Sequence, residues 1–210
     1  MDTSRLTKPN AVEAYTVVVL CHHQAYLLLQ RATTKRLWPN RWTGVGGRVE
    51  YDEFRDLEKA ALRELVEETA ITSQDVRQFS LRRVLLHARP QSPLTLLLYY
   101  TGTLQERILP MCTEGTLAWV SAEELPQLAV IGSTRPVLPL LIADYERDPN
   151  GYEAIRLGIA NFQPDGEVAS LAWIETGYNV TRRRFAEAAG ECKIEWLSLK
   201  DRAISDSKYP

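Results

Sequence analysis

Cysteine and histidine are scarce in this chain, and each scarcity excludes something. Its three cysteines, Cys21, Cys112 and Cys192, are odd in number and widely spaced. They give neither a disulfide framework nor zinc-ligand spacing, so reduced thiols are expected. His22 and His23 have no third ligand nearby and read as turn residues rather than a metal site. Neither sign of charge dominates: the net charge is −2 and the sequence pI about 6.0. That balance excludes bulk electrostatic capture of nucleic acid or of an anionic membrane. No apolar run approaches the ~20 residues of a membrane span, and MDTSRLTKPNAVEAY has no apolar signal core. A cytoplasmic protein is therefore expected, without repeats or low-complexity segments. With 210 residues, 45% of them hydrophobic, one typical domain plus an extension is the default.

The stretch around which the rest is organised is GGRVEYDEFRDLEKAALRELVEETAI, residues 46–71. A glycine pair leads into a helix carrying Arg63, Glu64, Glu67 and Glu68. At ~100° per residue, Glu64, Glu67 and Glu68 fall in one arc, while Leu57, Ala61, Leu62, Leu65 and Val66 are left to the core. Three carboxylates this close raise one another's pKa unless a cation sits among them. Hard oxygen donors on a rigid helix suit Mg²⁺ or Mn²⁺. An R-E-L-x-E-E run on its own is equally the pattern of a solvated helix face.

Upstream, AYTVVVLC (14–21) and AYLLLQ (25–30) read as strands joined by a tight turn, apolar enough to be covered on both faces. The loop RATTKRLWPNRWTGVGGR (31–48) carries Arg31, Lys35, Arg36, Arg41 and Arg48 interleaved with Trp38 and Trp42. A basic, aromatic loop running into a glycine turn suits a polyphosphate with a base stacked beside it. The alternative is that the tryptophans pin the loop to the core and the basic residues face solvent.

Together these features resemble the Nudix box, G-x5-E-x7-R-E-U-x-E-E-x-G-U with U aliphatic. Gly47, Glu53, Arg63, Glu64, Leu65, Glu67, Glu68 and Ile71 match in type and order. Two positions depart. Nine residues rather than seven separate Glu53 from Arg63, and Ala70 stands where the family has glycine. The longer spacer can be absorbed in the loop; Ala70 must end the helix under strain or differently. The resemblance implies an α/β fold, a Nudix-like α/β/α sandwich with a mixed β-sheet. It also implies metal ligation by Glu64, Glu67, Glu68 and the Gly46 carbonyl, and a helix-holding role for Arg63. Substrate contacts are expected from Arg31, Arg41, Trp42 and Arg48. Within the family, NRWTGVGGRVE resembles the W-N-G-x-G-G-K loop of oxidised-purine nucleotide hydrolases. Thr43 replaces its asparagine, which weakens that substrate assignment.

Further on, FSLRRVLLHA (79–88) and PLTLLLYYTGTL (93–104) read as strands, as does TLAWV. Ser121 and Glu124 form a capping-box pattern that should start a helix at AEEL. The preceding Glu114 resembles the family's distal acid and is the second candidate for the base, after Glu64, a metal ligand that would also help deprotonate the attacking water. Ser133 should cap an amphipathic helix over 133–148, closing a main domain at residues 1–148. Residues 149–210 lie outside the resemblance and read as a small α+β extension. It would comprise a hairpin through PDG, a helix capped by Thr181 and a strand at 192–199. It is too small to fold alone and should pack on the main domain or across a homodimer interface.

The expected function is divalent-metal-dependent hydrolysis of a phosphoanhydride in a nucleoside diphosphate linked to another moiety. Small-molecule nucleotides are the expected partners, with no stable nucleic-acid or membrane binding. A nucleotide-sensing module of the same fold is the alternative, should the longer spacer and Ala70 misplace the helix. A prenyl diphosphate isomerase would need a pocket cysteine, and neither Cys21 nor Cys112 is clearly placed for one.

Overall fold

The computed structural model describes residues 12–88, 93–163, 168–174 and 180–184. Its chain order is β1 (Val12–His22), β2 (Ala25–Arg31), β3 (Trp42–Thr43), α1 (Leu57–Thr69), β4 (Val76–Ala88) and β5 (Leu94–Leu104). Then follow β6 (Gly115–Ser121), α2 (Leu138–Arg147), β7 (Arg156–Phe162), β8 (Val168–Ile174) and β9 (Val180–Arg184). One mixed sheet runs β3-β2-β1-β5-β4-β7-β8-β9, with β6 on the other edge of β2. β1 lies parallel to β5 and β4 parallel to β7; the other pairs are antiparallel.

The near-continuous apolar runs of β1 and β2 exist because both sheet faces are covered. Val18 and Leu20 of β1 and Leu27 and Leu29 of β2 pack with Ala60, Ala61 and Leu65 of α1. Their alternates Val17, Val19, Cys21, Tyr26 and Leu28 pack with Leu138, Leu141, Ile142 and Tyr145 of α2. Period-two alternation thus splits one strand between two cores.

The turn reading of the histidine pair holds: His22 ends β1 and His23 takes φ 52° in the connection to β2. Three helix expectations need correction. After Ser121 only a 3₁₀ turn forms, Leu125–Gln127, because Pro126 interrupts further helical bonding. Glu124 nonetheless accepts from the Ser121 N–H and Oγ at 2.8 and 2.9 Å, so the capping pattern closes a turn. The helix expected from Ser133 starts at Leu138, after successive turns over 132–137. Pro136 disfavours helical geometry at Arg135, and Pro139 occupies the first turn of α2 instead. The helix expected after Thr181 is replaced by β9, in register Trp173↔Thr181 against β8. Pairing to an open sheet edge outweighs the local cap signal there. The expected helix beyond 184 and the strand at 192–199 lie outside the described residues. The PDG hairpin is formed by β7 and β8, and β7 adds directly to β4.

Candidate active site

Strands β1 and β2 pair only at their turn end, Leu20↔Leu27 to His22↔Ala25, and then separate. The glycine turn fills the gap. Val18 and Val45 exchange backbone hydrogen bonds at 2.7 and 3.0 Å, Thr16 N–H donates to the Gly47 carbonyl at 2.8 Å, and Val49 N–H to Ala14 at 2.9 Å. Gly46 has φ +145°, and a Cβ there would strike the Thr16 carbonyl. A Cβ on Gly47 would strike the Glu64 carboxylate. Gly46 therefore requires glycine for both conformation and closeness, while a Cβ on Gly47 would push the Glu64 carboxylate from its place.

Helix α1 begins at Asp56, whose side chain accepts from Lys59 N–H at 3.1 Å. A 3₁₀ turn, Tyr51–Arg55, precedes the helix, so that Phe54, Arg55 and the cap Asp56 of the longer spacer lie ahead of it. At the other end Ala70 adopts the left-handed conformation (φ 58°, ψ 10°), its N–H reaching the Val66 carbonyl at 2.8 Å. Alanine thus ends the helix as glycine would, at a steric cost. Neither departure displaces the helix from the glycine turn.

Arg63 is fully engaged. Its Nε and Nη2 donate to Glu53 at 2.6 and 2.9 Å, Nη1 to Glu64 and Glu67 at 2.9 Å each, and Nη2 to the Arg48 carbonyl at 3.0 Å. The guanidinium ties 3₁₀ turn, helix and glycine loop together. Its hydrogen bonds hold the Glu53 carboxyl down to about 2.

The three helix carboxylates share an arc but not an environment. Glu64 is 13% exposed and Glu67 58%. Glu68 is buried at 9%, with Gly46 N–H donating to it at 3.2 Å. Burial pushes Glu68 up to about 7; the Gly46 bond opposes, the Glu114 and Glu64 charges add, and Arg31 opposes. Burial also raises Glu64, against the pull of Arg63. Val66, expected in the core, is exposed, and Glu68 takes a buried place instead. Spending core surface on a carboxylate costs stability, which is how ion sites look from their ligands.

Among the described residues no three carboxylate, imidazole or thiol side chains converge enough to enclose an ion. Glu64 and Glu67 are turned onto Arg63, and Glu114 is ion-paired with Lys35. The donor set nevertheless fits a hard divalent cation: carboxylate oxygens of Glu64 and Glu68 lie against a side-chain-free glycine cradle.

The other expected residues divide. Arg31, whose charge lowers Glu68, donates Nε to the Leu37 carbonyl at 3.2 Å. Arg41 is exposed, and its carbonyl accepts from Arg31 N–H. Arg48 lies beside the cluster but directs Nη2 to Glu13 at 3.4 Å. Trp42 packs against the α2 core, its backbone bonded to Ala129 and Ile131, as the loop-pinning alternative anticipates. Thr43 is buried in β3. Glu114 charges the surroundings of Glu68, and its carbonyl accepts from Ala32 N–H at 2.9 Å. Two neighbours escaped sequence reasoning. Lys35 was one basic residue among five, without a signal for its partner. Cys112, half-buried, feels the Glu68 and Glu114 charges. Cys21 is buried in the α2-side core.

The sequence profile of the NUDIX domain matches residues 11–141, more than half of the chain. The chain belongs to the Nudix hydrolase family. No curated protein matches it. Among solved structures it is similar to a mutator MutT protein from Bacillus halodurans, with TM-score 0.57 and 20% identity over 77% of this chain and 97% of that one. It is also similar to a MutT protein from Methanosarcina mazei, with TM-score 0.52 and 18% identity over 68% and 99%. A third likeness is the E. coli dihydroneopterin triphosphate pyrophosphohydrolase, with TM-score 0.52 and 20% identity over 64% and 99%. At these identities the likeness carries the Nudix fold and leaves the substrate open. No helix among the described residues is long and apolar enough to cross a membrane.

Proposed function

We propose that this Nudix hydrolase cleaves a phosphoanhydride bond in a nucleoside diphosphate linked to another moiety, in the cytoplasm, with Mg²⁺ or Mn²⁺ as cofactor. The observation that carries the reading is the buried Glu68 set against the Gly46–Gly47 turn beside Glu64. Glu64, Glu67, Glu68 and the Gly46 carbonyl would hold the ion. Once bound, the cation neutralises phosphate charge and acidifies a coordinated water.

Arg63 fixes the helix against the turn, so that Glu64 and Glu68 stay in register with the glycine backbone. Glu64, with its raised pKa, is suited to accept the proton of the attacking water, and Glu114 is the second candidate base. Arg31, Arg41 and Arg48 supply cations around the turn for the phosphates, and Trp42 is proposed beside the base. Residues 1–148 form the catalytic domain in this reading. Residues 149–210 form an extension that packs on it or across a homodimer interface.

The test is a phosphate- and pyrophosphate-release screen over nucleoside triphosphates, dinucleotides, ADP-ribose and nucleotide sugars, with Mg²⁺, Mn²⁺ or chelator. Chelator-sensitive turnover that disappears in Glu68→Gln is expected. Turnover that persists in chelator, or in a folded Glu68→Gln, would remove these carboxylates from the chemistry.

A further inference from the structure

A cavity of about 310 Å³ lies at the wrong end of β2 for catalysis. Arg31, beside the carboxylates, ends that strand, whereas Ala25, which lines the cavity, begins it. Seven residues of strand separate the two by about 20 Å. No residue of the carboxylate cluster lines the cavity. It is therefore a separate feature, and its volume is at the lower end for small-molecule sites.

One wall is built of rings, and the rest is largely polar. His22 stands edge-on to Trp119, with ring centroids 6.1 Å apart, and His23 edge-on to His22 at 4.3 Å. Both inner rings are fixed in place. Trp119 Nε1–H donates to the Ile108 carbonyl at 2.9 Å, and His22 Nδ1 contacts the Leu104 carbonyl at 3.0 Å. Because a carbonyl only accepts, Nδ1 carries the proton and Nε2 is left as an acceptor when the ring is neutral.

Two charged groups in the cavity have capacity to spare. Arg107 lies over the Trp119 ring, 5.5 Å from its centroid, and makes no hydrogen bond or ion pair among the described residues. Glu124 spends its Oε2 on Ser121, and its Oε1 accepts nothing among the described residues. A guanidinium with free donors calls for an anion, and a carboxylate oxygen with free capacity calls for an N–H. An aromatic wall between them calls for a planar ring.

We propose that this cavity is a second, non-catalytic binding site for a nucleoside monophosphate. The base sits against the Trp119–His22 wall with an amino or ring N–H on Glu124 Oε1, and the phosphate is taken by Arg107. The proposal does not depend on which bond the carboxylate cluster cleaves, since it concerns binding at another end of the sheet.

The experiment is isothermal titration of the full chain with GMP and with AMP in the presence of EDTA, which suppresses metal-dependent binding at the carboxylates. One nucleotide per chain is expected. Arg107→Gln should weaken binding at least tenfold, and Glu124→Gln should weaken it by a smaller factor. Metal-dependent turnover of both variants should stay at the wild-type level. Arg107 and Glu124 are exposed, and glutamine at 124 keeps an oxygen for the Ser121 bonds, so the substitutions leave the fold intact. Absence of binding up to millimolar nucleotide, or an affinity unchanged in Arg107→Gln, would overturn the proposal. So would binding lost in Glu68→Gln but kept in Arg107→Gln, because the nucleotide would then be at the carboxylate cluster.

Discussion

Replacing Glu53 by Gln tests whether the Arg63 clamp sets the stability of the Nudix helix. Glu53 accepts two of the five hydrogen bonds that Arg63 makes, at 2.6 and 2.9 Å, and is 10% exposed. Its carboxyl falls from an ordinary 4.5 to about 2, chiefly through those bonds. Taken at face value, a shift of that size corresponds to roughly 3 kcal/mol. Arg63 is 27% exposed and the pair sits at the surface. Solvent screening brings the expected loss at pH 7 to about 1–2 kcal/mol. The sign follows from the lowered pKa: the contribution is complete above about 4.5 and is lost as pH falls toward about 2. Urea unfolding of wild type and Glu53→Gln from pH 7 to pH 2.5 should give curves that differ most above pH 5 and converge in acid. A constant gap across that range would refute the linkage, because the cost would then come from shape and not from charge. A variant as stable as wild type at pH 7 would refute the clamp.

Glu67→Gln is expected to abolish turnover while leaving the melting temperature nearly unchanged. Its side chain is 58% exposed and sits among like charges; a folded, active variant would exclude Glu67 from the chemistry. Ala70→Gly should stabilise by about 1 kcal/mol in thermal melts, by relieving a left-handed alanine at φ 58°. Asp144→Ala should cost about 3–5 kcal/mol in chemical denaturation. Asp144 is buried and accepts from Arg83 at 2.5 and 2.9 Å and from Arg147 at 2.8 Å, so its loss strands a buried Arg83.

The parts of this fold legible in the sequence are those where one physical signal acts alone. The apolar runs of β1 and β2, the helix through Leu65 and the glycine turn each follow from local pattern. Where a competing partner lies far along the chain, pattern fails. Thr181 looks like a helix cap until β8 offers an edge to pair with. Ser121 and Glu124 do form their mutual bonds, but Pro126 prevents a helix from following. At the site, spacing alone placed Glu64, Glu67 and Glu68 on one arc. It could not say that Glu68 would be buried under the Gly46 N–H while Glu67 stays in solvent. That depends on where β1 and β2 part, a tertiary fact. Lys35 and Glu114 are 79 positions apart, and no local rule connects them.

The charge balance of the site makes its own demand. Glu53, Glu64, Glu67, Glu68 and Glu114 share one electrostatic neighbourhood, and Arg63, Lys35, Lys59 and Arg31 are the cations set against them. Five carboxylates against four cations leave an excess of negative charge, and Glu68, the most buried, is raised first by burial, with the Glu114 and Glu64 charges adding. A divalent ion opposes that excess with twice the charge of a monovalent ion at the same place. Mg²⁺ should therefore raise the melting temperature of the substrate-free chain, by the equivalent of about 2.7 kcal/mol at a hundredfold excess over its dissociation constant. Potassium at matched ionic strength should have little effect. Glu68→Gln removes a buried carboxylate and should blunt the Mg²⁺ response while making the metal-free protein more heat-stable. If Mg²⁺ leaves the wild-type melting curve where potassium leaves it, the buried carboxylate is held by its own surroundings, and charge balance gives no reason for a metal at this turn.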